Sequence, residues 1–333
     1  MEIARDMRTR GDDAYPLVYP GIWLDHVIPE GPELFPVSGV SHKLTVFCEE
    51  QPDKPVVYVS DPHGFRNATG GGGAIEWAAI GDSFTQGACV ASGRSFVDLI
   101  ARRYGKPLNL GMSGDGPLLE LAALKEYLPA ARPRTVVWFF YPGNDLGDLQ
   151  LEKTNAILAR YLEDGFQQHL VDRQGEIDRR LLQWLDAEAG RLTTSELTRL
   201  IDGESSSLDR LLEFLSLAAL RRYAFPTPGQ YDFALFRRVM EEARRSVETW
   251  GGRLVFVYLP DHVAVPDLPA PARADRDRTL AIVRDLHIPV IDVESSVQSV
   301  DRSELFYNST SHYSEQGNAL VAEVTVRGLL DSQ

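Results

Sequence analysis

The sequence predicts an α/β protein: a doubly wound, three-layer αβα sandwich on a mainly parallel sheet of five strands. Three observations carry this expectation. From Ile75 onward, short apolar runs alternate with segments of helical spacing, the pattern of βαβ crossovers. The run TVVWFFY at Thr135–Tyr141 is almost wholly apolar, as a strand buried on both faces requires. The loops that follow three of these runs concentrate Gly, Ser, Asp and Asn, where open α/β sheets place their ligands.

Residues 1–74 read as an N-terminal arm rich in Pro, Gly and short apolar pieces. Two pieces, Leu44–Cys48 and Val56–Val59, have strand character. The arm ends in Gly70–Gly73, which precedes a strand and is not followed by GK[ST], so it is no phosphate loop. Residues 75–149 form the first half of the core. Ile75–Ile80 is its first strand and Ser95–Tyr104 a helix stopped by Gly105. Leu108–Leu110 is the second strand. Pro117 opens a Leu/Ala-rich helix to Ala131, proline being suited to a first helical turn. Residues 150–230 break the alternation and carry only helical patterns, so they read as a helical insertion or lid. Ile177, Leu181, Trp184 and Leu185 share one helix face there, and Leu211–Leu220 is apolar on most faces. Residues 231–333 complete the core. The helix at Asp232–Trp250 aligns Phe236, Val239, Met240, Ala243, Val247 and Trp250. Strands Arg253–Leu259 and Pro289–Val293 follow, separated by a helix at Ala272–Leu286, and a last helix spans Ser314–Leu330.

The composition narrows the function classes. The 333 residues carry 34 basic and 48 acidic side chains, a net charge of −14, which gives no electrostatic footprint for nucleic acid or an anionic membrane. No run reaches the ~18 apolar residues of a membrane span, and the N-terminus has no signal-like apolar run. The expectation is a soluble protein. Cys48 and Cys89 form no CxxC pair and read either as two buried thiols or as one disulfide. His26, His42, His63, His169, His262 and His287 show no metal-ligand spacing, and no metal or organic cofactor is expected.

The chemistry concentrates in four segments. After the first core strand comes Gly81-Asp82-Ser83-Phe84-Thr85-Gln86-Gly87. After the second comes Asn109-Leu110-Gly111-Met112-Ser113-Gly114-Asp115, and after the third Gly143-Asn144-Asp145; His312 stands before the last helix. A serine at a strand-to-helix turn exposes its hydroxyl beside a helix N-terminus, which favours developing negative charge. A glycine lets a second backbone N–H approach, an Asn amide supplies a third donor, and a histidine can take the serine proton. Asp82 and Asp145 read as helix-capping or loop-fixing residues. His262, just after a strand, is a candidate substrate contact. Arg66 could reach an anionic group, with a structural salt bridge as the simpler reading.

These four blocks, in this order, resemble those of the SGNH (GDSL-like) hydrolases over about 75–145 and 252–330. The resemblance implies a flavodoxin-like sheet and assigns Ser83 as nucleophile and His312 as base. Ser83, Gly114 and Asn144 become the oxyanion-hole donors. The arm and insertion look like those of envelope-associated bacterial members, some found with polysaccharide genes, which implies an extracytoplasmic setting. One position departs from the family pattern: Ser309 stands where an Asp usually precedes the histidine. A carbonyl or hydroxyl can orient His312 in a Ser–His dyad, or an acid can come from elsewhere, or the site has decayed. Asp292, Asp301, Glu304 and Glu315 are the candidate acids. Asp292, at the end of the last strand, is the first choice. The implied activity is removal of an O-acyl group, acetyl for example, from a small-molecule or glycan ester. Transfer to a polysaccharide hydroxyl, lipid or lysophospholipid hydrolysis, and a decayed binding protein are the alternatives.

Overall fold

The computed structural model describes residues 2–20, 34–47, 56–68, 73–187, 231–308 and 312–331. The core sheet has five strands: β4 (Trp77–Ile80), β5 (Pro107–Asn109), β6 (Thr135–Phe140), β7 (Arg253–Tyr258) and β8 (Val290–Asp292). Its order is β5-β4-β6-β7-β8, and every pairing is parallel. The chain moves outward from β4 to β5, then returns across β4 to lay down β6, β7 and β8. The direction of progression therefore reverses between β4 and β6, where a crevice opens beyond the carboxyl ends of the strands. Ser83 follows β4 and Asn144 follows β6.

Strand alternation divides the core. Val136, Trp138 and Phe140 of β6 join one apolar cluster, while Val137 and Phe139 join the other. All five are buried, which is why the run reads as continuously apolar. The first cluster packs under helices Pro117–Ala131, Phe233–Glu248 and Ala270–Asp285. The second packs under helices Phe96–Tyr104 and Glu315–Asp331. Three layers result. Ser95 and Asp98 close a capping box on the helix at Phe96, and Pro117 begins the helix it was expected to begin.

The arm contributes a separate three-stranded sheet: β1 (Ala14–Pro16), β2 (Leu44–Phe47) and β3 (Val56–Val59). β1 was not foreseen, because Pro16 argues against a strand. It lies at the sheet edge, where a missing N–H costs little. Leu34, Phe35, Val37 and Val40 bury into the first cluster. The arm also bonds the described part of the insertion: Phe35 N–H donates to Gln168 Oε1 at 2.7 Å, and Ser41 Oγ to Asp178 Oδ2 at 2.6 Å. Residues 188–230, which include the apolar Leu211–Leu220 stretch, lie outside the described residues, as do Cys48, Gly70–Gly72 and Ser309. No helix among the described residues is long and apolar enough to cross a membrane.

Candidate active site

Ser83 opens the short helix Ser83–Gln86. Asp82 caps it, accepting the Phe84 N–H on Oδ1 at 2.9 Å. The cap fixes the turn that presents the serine hydroxyl. His312 reaches it from 229 residues away, with Nε2 2.8 Å from Ser83 Oγ. Neighbouring bonds hold the histidine segment. The Tyr307 N–H donates to the His312 carbonyl at 3.2 Å, Ser314 N–H to Leu305 O at 2.8 Å, and the Tyr313 hydroxyl to Pro260 O at 2.6 Å. The imidazole rests on Phe84, ring centroids 4.8 Å apart, and Phe84 stacks on Tyr141 at 3.9 Å.

The second loop lies against the nucleophile turn. A Cβ on Gly111 would fall 2.5 Å from the Gln86 backbone nitrogen, so only glycine permits that approach. Gln86 Oε1 accepts both the N–H and the hydroxyl of Ser113, at 2.9 and 3.0 Å. Gly114 then adopts φ +75°, in the left-handed region. Glu152 fixes the far end of the loop, accepting the Gly116 N–H at 2.6 Å and the Leu118 N–H at 2.8 Å. It thereby caps the helix at Pro117, whose N-cap residue, Gly116, has no side chain.

Asn144 occupies the N-cap position of helix Asp145–Glu152, and its Nδ2 donates to Asp148 Oδ2 at 2.8 Å. That bond uses one amide hydrogen and orients the other. Asp145 accepts the Tyr141 N–H at 2.9 Å, fixing the turn after β6. Neither the Ser83 nor the Gly114 N–H has an acceptor among the described residues.

A group of carboxyls lies beneath these loops. Asp82, Asp115, Glu120, Asp145 and Glu152 are all buried. Burial pushes Asp115, Glu120 and Asp145 well above the usual carboxylate range, and repulsion from neighbouring carboxylates adds to it. Burial pushes Glu152 up to about 7, against the pull of its backbone donors. It pushes Asp82 up to about 6, opposed by the Phe84 N–H and by the His312 charge. No group of three or more His, Cys, Asp or Glu among the described residues is arranged to hold a metal ion.

The structure does not bring Asp292 to the imidazole. Its carboxylate caps the helix Val293–Ser296, accepting the Ser295 N–H at 3.0 Å, and pairs with Arg276. The other three candidate acids are also engaged elsewhere. Asp301 caps Arg302–Leu305, Glu304 accepts from Gln316, and Glu315 pairs with Arg94 at the surface. Arg66 makes no ion pair among the described residues. It donates to the carbonyls of Gln86, Gly87 and Val90, holding the segment after the nucleophile. The His262 ring lies on Phe306, with centroids 3.8 Å apart.

Several neighbours of the site were not foreseen. Asp148 carried a usable signal, since it lies one helical turn after Asn144. Tyr19 of the arm carried none: the residue is 41% exposed, and its ring packs so close to Gly114 that a Cβ there would meet Cδ2 at 3.1 Å. Cys89 carried none either. It is disulfide-bonded, and its Sγ lies 3.7 Å from His312 Nδ1. Beside the site, a cavity of about 180 Å³ is lined by Gly143, Tyr231, Tyr258, Asp261, Asp275 and Arg276, among others.

No family model matches the chain, and no curated protein does. Solved structures similar to it include a lipase/acylhydrolase from Enterococcus faecalis, 16% identical, covering 78% of this chain and 96% of that one, with a TM-score of 0.44. A member of the lipolytic G-D-S-L family from Veillonella parvula is 14% identical over 76% of this chain and 97% of its own, TM-score 0.42. The acetyl xylan esterase AlAXEase is 10% identical over 75% and 98%, TM-score 0.43. Identity this low leaves the chemistry to be argued from the site itself.

Proposed function

We propose that the protein is a serine ester hydrolase acting through an acyl-enzyme on Ser83, with His312 as general base. The observation that carries this reading is the 2.8 Å contact between His312 Nε2 and Ser83 Oγ at the carboxyl edge of a parallel sheet. Nε2 takes the hydroxyl proton as Oγ attacks the ester carbonyl. The resulting oxyanion is held by the Ser83 and Gly114 N–H groups and by an Asn144 Nδ2 hydrogen. The imidazolium returns its proton to the leaving alcohol oxygen. Nε2 then removes a proton from water, which attacks the acyl carbon; as the acyl–Oγ bond breaks, the imidazolium passes that proton to Ser83 Oγ, releasing the acid and regenerating the serine and the neutral histidine. Asp82, buried next to this charge, stabilises the imidazolium through space when ionised.

What surrounds the serine supports a reading of the substrate class. Tyr19 offers an exposed aromatic face beside Gly114, and the adjoining cavity is lined by Tyr258, Asp261, Asp275 and Arg276. Hydroxyl-rich, uncharged leaving groups suit such walls better than a long acyl chain does. We therefore favour a short O-acyl group, such as acetyl, on a carbohydrate. The net charge of −14 favours a neutral glycan over a polyanionic one.

The test is a series of p-nitrophenyl esters of increasing chain length beside an acetylated sugar, with acetate release measured with and without a glycan acceptor. The reading expects acetyl esters to be preferred and acetate to appear without an acceptor. A strong preference for long chains would point to a lipid esterase. Release only when an acceptor is present would point to an acyltransferase.

A further inference from the structure

The Ser83 and Gly114 N–H groups belong to two different segments, the turn after β4 and the loop after β5. A donor serves a developing oxyanion only at about 2.7–3.1 Å, so the two segments must be held in register. A misplacement of about 1 Å can cost about 10²-fold in rate.

One side chain spans the two segments. Gln86 lies three residues after Ser83 on the same short helix and is fully buried. Its Oε1 accepts the N–H and the hydroxyl of Ser113, the residue before Gly114, at 2.9 and 3.0 Å. A backbone N–H can be met only by the amide oxygen, which fixes the orientation of the amide. Nε2 therefore points the other way, to the Tyr58 hydroxyl at 3.1 Å and Met112 Sδ at 3.6 Å. All four hydrogen-bonding positions of the amide are used.

A second observation is where the arm closes on this junction. Tyr58 lies on β3 of the arm, and the Arg66 guanidinium sits 5.3 Å from its ring centroid while donating to the Gln86 and Gly87 carbonyls. Asn67 meets both backbone groups of Asn109, accepting its N–H at 2.8 Å and donating to its carbonyl at 2.9 Å. The Asn109 amide in turn donates to Thr85 O and accepts the Gly111 N–H, both at 2.9 Å. Three residues of the arm thus brace the two loops where they meet.

Resting on the esterase reading above, we propose that Gln86 is the positioning residue that sets the two backbone donors of the oxyanion hole against each other, and that the N-terminal arm completes this device through Tyr58. Gln86 is buried and acts through Ser113, not on the substrate. The arm is then a working part of the active site.

The experiment separates placement of the hole from general stability. Gln86→Met keeps the side-chain length and removes the acceptor for Ser113. Tyr58→Phe keeps the ring and removes only the oxygen that meets Gln86 Nε2. Ser41→Ala cuts the arm's hydroxyl bond to Asp178 and controls for a loosened arm. Thermal midpoints are measured, with kcat/KM on p-nitrophenyl acetate and on its thiono analogue, whose C=S sulfur is a weak acceptor that gains little from the hole. On the oxygen ester, kcat/KM should fall about 10²-fold in Gln86→Met. It should fall about fivefold in Tyr58→Phe, the factor one hydrogen bond is worth. Both losses should be much smaller on the thiono ester, and Ser41→Ala should lower the thermal midpoint alone. Variants that keep wild-type kcat/KM, or lose it equally on both esters, would overturn the assignment, Gln86 then being a packing residue. Should Gln86→Met not fold, Tyr58→Phe decides by the same criterion. Full activity in Ser83→Ala would instead overturn the esterase reading on which the assignment rests.

Discussion

Glu152 gives the most quantitative test of how the site is built. Its two oxygens accept the Gly116 and Leu118 N–H groups at the start of the helix that carries the candidate oxyanion loop. Those donors and the helix N-terminus favour a carboxylate, and burial opposes it. Burial prevails and moves the group from 4.5 to about 7. Because the folded-state value is raised, the stability this group contributes is fully present below about pH 4.5. It is lost as pH rises through about 7. The difference is worth about 3 kcal/mol. In Glu152→Gln the group cannot ionise, and one of the two N–H groups loses its acceptor, a cost of about 1–3 kcal/mol at every pH. Urea unfolding between about pH 5 and pH 8 should therefore show a variant weaker than wild type at the acid end. It should regain about 3 kcal/mol relative to wild type by the alkaline end. A stability gap that stays constant across this range would refute the argument, because Glu152 would then not be a buried acid titrating within it.

Asn144→Ala should lower kcat on p-nitrophenyl acetate by about 10²–10³, the loss typical of one oxyanion donor, with KM little changed. Asp148→Ala, which removes only the acceptor orienting that amide at 2.8 Å, should give a smaller loss in the same parameter. Tyr19→Ala should raise KM for an acetylated sugar more than for p-nitrophenyl acetate, since the exposed ring is read as a wall for the leaving group. Lys125→Met should cost about 3 kcal/mol of stability by chemical denaturation without altering kcat in the protein that remains folded. The Lys125 ammonium donates to Tyr161 O, Glu163 O and Glu242 Oε1 at 2.8–2.9 Å, and none of these groups bonds Ser83 or His312.

The sheet was legible because its strands are buried on both faces. Thr135–Phe140 and Arg253–Tyr258 need apolar residues at nearly every position, and no helix among the described residues shows so dense a run. The reversal of strand order was not legible from periodicity, which says nothing about which strands are neighbours. The candidate site divides in the same way. Ser83, Gly114 and Asn144 follow strands directly, so local sequence places them on one edge. Asp292 also ends a strand, yet its carboxylate goes to Arg276, which comes from the preceding helix Ala270–Asp285. Sequence position cannot reveal such a competitor. The contact between Cys89 and His312 depends on two loops meeting across the fold, and no spacing rule encodes it. Arg66 illustrates a further limit: charge pattern suggests ion pairs, whereas this guanidinium serves three backbone carbonyls.

The central claim is that Ser83 is an activated nucleophile. Treating the folded protein with a fluorophosphonate, then measuring intact mass and mapping the modified peptide, tests it directly. The account expects one adduct, on Ser83, formed slowly in His312→Ala and absent in Ser83→Ala. An unlabelled folded protein, or an adduct on another residue with Ser83 unmodified, would contradict it.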